Sequence, residues 1–217
     1  MTNLTNLGFL KGAIMETIVS TYNANEQPNA APMGIKTEDM KHIVIQPYTS
    51  SMTYANLQSK RCAAINVTSN PELYYRTAFK EANPGGRTPL EWFEKVETVD
   101  APGLRMADAF VEVSVLDIKS LGAERAEVSC DVQLIKTSSL LPKVYCRATF
   151  ATIESIIHAT RVKLFLAGDR QKQEQARRLI ELIEHYNAIV NRIAPNSRYS
   201  AIMADLTQRI NSWKDES

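Results

Sequence analysis

The sequence predicts a small antiparallel β-barrel, closed or partly closed, followed by about three helices. Six short runs rich in β-branched residues occupy the first two thirds of the chain, and one short helix lies between the third and fourth runs. The last third instead repeats apolar residues with helical spacing. We therefore expect two domains, residues 1–142 and residues 143–217, each within the ordinary size range of a domain or slightly below it.

Turn-forming residues bound each predicted strand. The strands are expected at residues 16–21, 29–35, 42–48, 62–67, 109–118 and 126–135. The last two form a long antiparallel hairpin around Leu121-Gly122. Between Asn83 and Gly103 we expect an irregular connection that contains one turn over residues 90–96.

The predicted helices begin at capping residues or at proline. Polar residues at 50–53 precede a short helix that continues through Tyr54–Gln58, and Pro71 begins a helix over residues 71–81. The three C-terminal helices are expected at residues 146–165, 170–193 and 198–213.

The composition is that of an ordinary globular protein. Of 217 residues, 44% are hydrophobic and 23% are charged, which argues against a disordered or fibrous chain. The formal net charge of +1 excludes a global field that would attract nucleic acid or anionic lipid. The first 142 residues carry 13 basic and 16 acidic side chains, and the rest carry 12 and 8. This mild difference fits a basic helical domain that folds onto a more acidic barrel.

The cysteines and the termini indicate a reducing compartment. Cys62, Cys130 and Cys146 stand far apart, so buried reduced thiols are a better interpretation than a disulfide framework or a zinc site. The first residues are too polar for a secretory signal, and no run reaches the ~18 apolar residues of a membrane helix. We expect a cytoplasmic protein without membrane or nucleic-acid partners and without a metal site.

The clearest ligand signal is a predicted junction between strand and helix at residues 48–57. A helix N-terminus presents unpaired backbone N–H groups and the positive end of the helix dipole, which favour an anion. Four hydroxyl side chains, those of Thr49, Ser50, Ser51 and Thr53, add donors for phosphate oxygens. The alternative is that Ser50 or Ser51 only caps the helix, which accounts for one hydroxyl and leaves three unexplained.

A second candidate ligand segment spans residues 29–34. It contains Ala31, Pro32, Met33 and Gly34, whose small or unbranched side chains allow a flat ligand to approach the backbone. Backbone N–H and C=O groups can then bond ring heteroatoms. A β-bulge at the barrel rim would explain the same composition, and the residues alone do not decide between these interpretations.

The order of these segments resembles the FMN-binding split β-barrel superfamily, which includes flavin reductases. The matching runs are ETIVST, PNAAPMG, HIVIQPY, SSMTYANL and AAINVT, in that order. The resemblance implies a Greek-key split barrel that binds FMN, with Asn56 matching the asparagine of a Lys/Arg-Asp-Thr-x-x-Asn pattern. The sequence departs from the superfamily patterns in two respects. Gly34 replaces a serine, and Ser51-Met52 replaces the charged pair, so a local counter-charge for phosphate is missing.

A further resemblance covers nearly the whole chain. The runs ETIVST, NAAPMG and TYANL, with the later segment Arg147–Glu154 and Ala159-Thr160-Arg161, are similar to a mainly archaeal family of unknown function. In that family an FMN-binding split barrel precedes a helical C-terminal domain. The resemblance implies bound FMN and a homodimer, with no assigned substrate.

The first C-terminal helix carries its charges along one line. Arg147, Glu154, His158 and Arg161 fall within about 60° of one another on a helix. This pattern predicts a helix packed on most other sides. Either these residues form a buried network that fixes the helical domain to the barrel, or Arg147 or Arg161 meets the FMN phosphate or an anionic substrate.

Two functions fit these observations. The first is an FMN-dependent oxidoreductase that moves hydride or electrons between a reduced nicotinamide, or another donor, and a small conjugated substrate. The second is a non-catalytic FMN carrier or sensor whose helical domain meets a partner protein. No side chain stands out as a catalytic acid or base, so the sequence predicts no catalytic residue.

Overall fold

The structure is a computed structural model that describes residues 3–138 and 147–216. These residues fall into two compact units. The first, which we call the barrel unit, contains residues 3–68 and 79–138. The second, the helical unit, contains residues 69–78 and 147–216.

The barrel unit contains eight strands and one α-helix. The strands are β1 (Met15–Tyr22), β2 (Pro28–Lys36), β3 (His42–Ile45), β4 (Cys62–Val67), β5 (Phe93–Lys95), β6 (Pro102–Leu104), β7 (Ala109–Leu121) and β8 (Arg125–Thr137), and helix α1 is Met52–Lys60. Six strands close a barrel in the order β1-β2-β3-β8-β7-β4, and every neighbouring pair is antiparallel. The predicted six-stranded Greek-key barrel, with a short helix between its third and fourth strands, is confirmed.

The barrel closes because alternate residues of its strands are apolar and meet in one core. These buried residues include Val19, Ile35, Ile43, Ile45, Ala63, Ile65, Val111, Val113, Val128 and Cys130. Each fully buried Val or Ile contributes roughly 1.5–3 kcal/mol relative to an exposed one. Burial also raises the pKa of the Cys130 thiol to about 12, so this cysteine behaves as a small apolar side chain. Cys62 and Cys130 carry free thiols, and Cys146 lies outside the described residues.

The connection between β4 and β7 differs from the sequence prediction. A 3-10 turn over Leu90–Trp92 leads directly into β5, which pairs with β6 in a separate two-stranded sheet. The expected irregular segment therefore contains ordered antiparallel structure. Each strand has only three residues, which is too short for alternation of polar and apolar residues to be recognisable.

The helical unit contains α2 (Pro71–Ala78), α3 (Arg147–Leu166), α4 (Arg170–Ile193) and α5 (Arg198–Asp215). The three predicted C-terminal helices are confirmed, with α4 capped by Asp169 and α5 by Ser197. The expected start of the first at Cys146 lies outside the described residues. Among the residues that the structure describes, every helix falls short, in length or in apolar character, of what crossing a bilayer requires.

Helix α2 belongs with the C-terminal helices, although the sequence analysis assigned it to the barrel domain. It is also shorter than the expected helix over residues 71–81, since it ends at Ala78. The Tyr75 hydroxyl donates a hydrogen bond to the Asp205 carboxylate on α5, and Arg209 Nε lies 2.5 Å from the same carboxylate. This polar cluster joins two helices that are far apart in sequence.

Candidate functional site

The first turn of α1 is capped by one of the four candidate hydroxyls. Ser51 Oγ accepts a hydrogen bond from the backbone N–H of Tyr54 at 3.2 Å, and its hydroxyl donates to the carbonyl of Tyr48 at 2.7 Å. These are the contacts of an N-cap residue, so Ser51 caps the helix, as the alternative interpretation of this segment proposed. The cap leaves the other N–H groups of the first turn directed out of the helix end.

The other three candidate hydroxyls have different surroundings. The Thr49 hydroxyl donates to the carbonyl of Ala123 at 3.3 Å, which ties this junction to the turn between β7 and β8. Ser50 is exposed, and its side chain has no hydrogen-bond partner among the described residues. Thr53 is only 1% exposed and lies inside the barrel unit. The four hydroxyls therefore do not form one free cluster, and among the described residues Ser50 and Thr53 are the two whose hydroxyl groups donate no hydrogen bond.

A buried polar chain joins α1 to β2 and to the turn after α2. The Asn29 side-chain amide on β2 donates to Thr53 Oγ1 at 3.2 Å. The Lys80 ammonium donates to the Asn29 side-chain oxygen from the 3-10 turn Lys80–Ala82. One turn further along α1, Asn56 Nδ2 donates to Thr21 Oγ1 of β1 at 2.9 Å. Lys80 was not among the predicted site residues, and Asn29 appeared only as the first residue of the candidate ligand segment 29–34.

Burial changes the chemistry of Lys80. Desolvation lowers the pKa of its ammonium, and no carboxylate contributes an opposing effect. Within the described ranges Lys80 forms no ion pair, and its hydrogen bond is to a neutral amide oxygen. Sequence reasoning offered no signal for this residue, because it lies at the end of a predicted amphipathic helix where a lysine is ordinarily solvated.

The predicted flat-ligand segment is the middle of β2, without a bulge. Its register with β1 runs without interruption from Met15↔Ile35 to Tyr22↔Pro28. In the described residues, β2 pairs with β3 only at Ile35 and Lys36. Residues 28–34 therefore have one backbone edge on β1 and the other without a strand partner. We call this second edge the open edge of β2.

Pro32 indicates which residues direct their backbone groups to the open edge. Pro32 is opposite Ile18 of β1, and proline is compatible with a strand where its nitrogen needs no hydrogen-bond partner. Because successive residues of an antiparallel pair alternate between the two edges, Ala30 and Gly34 share the open edge with Pro32. Ala31 and Met33 direct their backbone groups towards β1. Residues 31–34 are all partly exposed.

Gly34 has a structural reason to be glycine. A Cβ atom at this position would lie 2.6 Å from Ile14 Cγ2 and 3.3 Å from a carboxylate oxygen of Glu16. Such contacts require neighbouring atoms to move. Ile14 and Glu16 therefore occupy the space that a side chain at residue 34 would take, although Ile14 itself is 62% exposed.

Three of the four residues in the charged line of α3 are exposed, so the buried network, one of the two interpretations of this line, is not observed. Arg147, Glu154 and Arg161 are all on the solvent side, and the other faces of the helix are buried as predicted. Glu154 Oε2 lies 4.0 Å from Nε2 of His158, whose side chain is 14% exposed. Burial lowers the pKa of His158, while Glu154 opposes the shift and Arg161 adds to it. The charged groups face water because the free-energy cost of their desolvation would exceed the free energy gained from pairing them with one another.

Among residues 3–138 and 147–216, no three His, Cys, Asp or Glu side chains come together as ligands for a metal ion would. The candidate site of the barrel unit is thus built from hydroxyls, amides, one lysine and backbone groups.

Solved structures share this fold. The crystal structure of the FMN-bound protein MM1853 from Methanosarcina mazei has a TM-score of 0.76 and 24% sequence identity, and the match covers 95% of this chain and 99% of that one. BorF, the flavin reductase component of a bacterial two-component tryptophan halogenase, has a TM-score of 0.50 and 12% identity, with coverage of 58% and 81%. These similarities establish the fold, and the match to MM1853 extends over both units.

A family model matches residues 15–139, which is more than half of the chain. Its description is the N-terminal domain of a protein of unknown function, DUF447, and MM1853 is described with the same family. The matched segment contains β1–β8 and α1, and so includes the whole barrel. The resemblance to a family of unknown function that couples a split barrel to C-terminal helices is confirmed, and this chain belongs to the DUF447 family.

Proposed function

We propose that this protein binds FMN, with the phosphate at the start of α1 and the isoalloxazine ring along the open edge of β2. The observation that carries the proposal is the hydrogen bond between Asn29 and Thr53. It joins β2, where we propose the ring, to α1, where we propose the phosphate, within one unit, which supports the proposal. A member of the same family with a matching fold, MM1853, is FMN-bound, which supports this assignment.

At the phosphate end, the first turn of α1 supplies backbone N–H donors and the positive end of its dipole. Ser50 and Thr53 add hydroxyl donors, while Thr49 and Ser51 shape the turn and Asn56 fixes the helix against β1. Arg147 and Arg161 on α3 are exposed, and they stay proposed as further phosphate contacts.

At the ring end, Ala31, Pro32, Met33 and Gly34 provide a surface with little side-chain bulk. The backbone groups of Ala30 and Gly34 on the open edge can bond the polar edge of a flavin, and Pro32 adds no competing donor. The absence of a strand partner leaves these groups unused by the sheet. The residues present therefore fit a flat heteroaromatic group attached to a phosphate.

We further propose that the protein is an oxidoreductase. When bound, FMN supplies hydride or single-electron transfer, which explains why the site needs no acid–base pair. A reduced nicotinamide would be the donor and a small conjugated molecule the acceptor. A homodimer would cover the open edge of β2 and complete a closed pocket.

A titration of ligand-free protein with FMN tests the site. Thr53→Val removes the hydroxyl and keeps the side-chain shape, so we expect FMN affinity to fall about tenfold, as for loss of one hydrogen bond to a charged group. Thr5→Val is the matched control, because Thr5 is exposed in an N-terminal 3-10 turn of the same unit. If the parent, Thr53→Val and Thr5→Val proteins bound FMN with equal affinity, Thr53 would not contact the phosphate.

Anaerobic mixing with NADH or NADPH tests the reaction. Loss of flavin absorbance near ~450 nm at catalytic rates would support the oxidoreductase. If no nicotinamide or low-potential donor bleaches the bound flavin, the carrier or sensor function is favoured instead.

A further inference from the structure

We propose that Lys80 provides the positive charge that binds the FMN phosphate, acting beside Thr53 at the start of α1. This inference rests on the proposed function and adds a binding residue to it. The counter-charge then comes from the barrel unit itself, whereas the charged line of α3 suggested Arg147 or Arg161.

The geometry places Lys80 next to the proposed phosphate site. Its ammonium bonds the oxygen of the Asn29 carboxamide, and the nitrogen of that carboxamide bonds Thr53 Oγ1. A single carboxamide group therefore separates the ammonium from a hydroxyl of the first turn of α1. All three side chains come from the barrel unit, and Asn29 and Thr53 are almost completely buried.

The first turn of α1 has no charge of its own. It contains no acidic residue, and the basic residue of the helix, Lys60, is in the last turn. A helix N-terminus carries about half an elementary charge, which leaves most of a phosphate dianion uncompensated. A cation at this end of the helix is thus the component that the turn lacks.

Lys80 differs from the other lysines of the barrel unit that the structure shows in ion pairs. Lys60 forms an ion pair with Glu26 and its side chain is 20% exposed, and the exposed Lys136 lies 2.5 Å from Glu97. Lys80 is likewise partly buried, but it has no carboxylate partner in the described part of the chain. Burying an ammonium without an anion is costly, so a purely structural lysine would be expected to bring a carboxylate with it. A bound phosphate would supply the missing negative charge.

Riboflavin separates phosphate binding from ring binding, because it has the same ring and lacks the phosphate. The experiment measures dissociation constants of FMN and of riboflavin for ligand-free full-length protein by quenching of flavin fluorescence. Lys80→Met removes the charge and keeps the aliphatic length. Lys80→Gln removes the charge and retains a donor for Asn29, which preserves the local hydrogen bond if the first variant misfolds.

We expect both variants to bind FMN about 10- to 100-fold more weakly, as for loss of a charge-assisted hydrogen bond, and riboflavin within about twofold of the parent. Lys119→Met is the matched control, because Lys119 is exposed on β7 and its loss changes the net charge equally. This control should bind both flavins like the parent.

Three results would overturn the inference. Unchanged FMN affinity in both Lys80 variants would show that Lys80 does not bind the phosphate. Weaker FMN binding by the Arg147→Met or Arg161→Met protein would then assign the positive charge to α3. An equal loss of FMN and riboflavin would place Lys80 at the ring. A parent protein that binds neither flavin, or binds both equally, would instead refute the proposed FMN site or its phosphate subsite.

Discussion

At the scale of single residues, a buried carboxylate organises the connection between β4 and β7. Glu112 on β7 is completely buried, and its oxygens accept hydrogen bonds from the backbone N–H groups of Glu97, Thr98 and Val99. The Thr98 hydroxyl adds a fourth bond. These bonds hold the turn that follows β5, so the small β5–β6 sheet depends on one side chain of the barrel.

We expect Glu112→Gln to lower the free energy of unfolding by about 1–3 kcal/mol. The amide keeps one acceptor, but it loses the negative charge and places an NH₂ group against backbone N–H donors. Urea denaturation measures the change. Glu91→Gln is the control, since Glu91 is exposed beside the same sheet. Equal midpoints for the two variants would show that the Glu112 bonds do not stabilise the fold.

Glu112 and Lys80 also show what the sequence could not reveal. Both gain their roles from partners that are distant in the chain, since 51 residues separate Lys80 from Asn29. Periodicity identifies the faces of helices and strands, but it does not say which polar side chains meet. The sequence predicted the hydroxyls at 49–53 because they occupy four of five neighbouring positions. It could not distinguish the capping Ser51 from the buried Thr53.

At the scale of secondary-structure elements, α1 combines a structural cap with a proposed anion site. A change at the cap should therefore separate helix stability from phosphate binding. Ser51→Asp keeps a capping oxygen, and a negative charge at a helix N-terminus is stabilising. The same charge would repel a phosphate at that end.

We accordingly expect Ser51→Asp to leave the melting temperature of the ligand-free protein within a few degrees of the parent and to weaken FMN binding at least about tenfold. Ser197→Asp is a closely matched control, since Ser197 caps α5 and donates to Ala194 as Ser51 donates to Tyr48. Thermal melts and FMN titration measure both effects. A Ser51→Asp protein that binds FMN as tightly as the Ser197→Asp protein would contradict the phosphate site.

Elements of four or more residues with a regular pattern were predictable, and the shortest strands were not. The dense β-branched run of β3 and the alternating residues of β8 each have one buried face, which fixes their type, and β7 is paired with β8 along its length. β5 and β6 have three residues each, so their pairing arises from tertiary contacts such as those of Glu112. The open edge of β2 could not be predicted from the sequence either, because strand pairing is a property of the assembled sheet.

At the scale of the whole molecule, the two units do not follow the order of the chain. The sequence placed a boundary after residue 142, where composition and periodicity change. The segment 69–78 lies far upstream of that point and still belongs to the helical unit. Its assignment depends on the contacts of α2 with the C-terminal helices, including the Tyr75–Asp205 hydrogen bond, and a linear pattern does not contain them.

This arrangement predicts that α2 opens together with the C-terminal helices. In native-state hydrogen exchange, we expect the amides of residues 71–78 to share the opening free energy of α5, although β4 is their neighbour in sequence. Asp205→Ala removes the acceptor of Tyr75 and the ion-pair partner of Arg209, so it should reduce protection in α2 and α5 and leave β4 unchanged. Asp215→Ala is the control, because Asp215 is exposed at the end of the same helix. If residues 71–78 instead kept the protection of β4 in the Asp205→Ala protein, α2 would belong to the cooperative unit of the barrel.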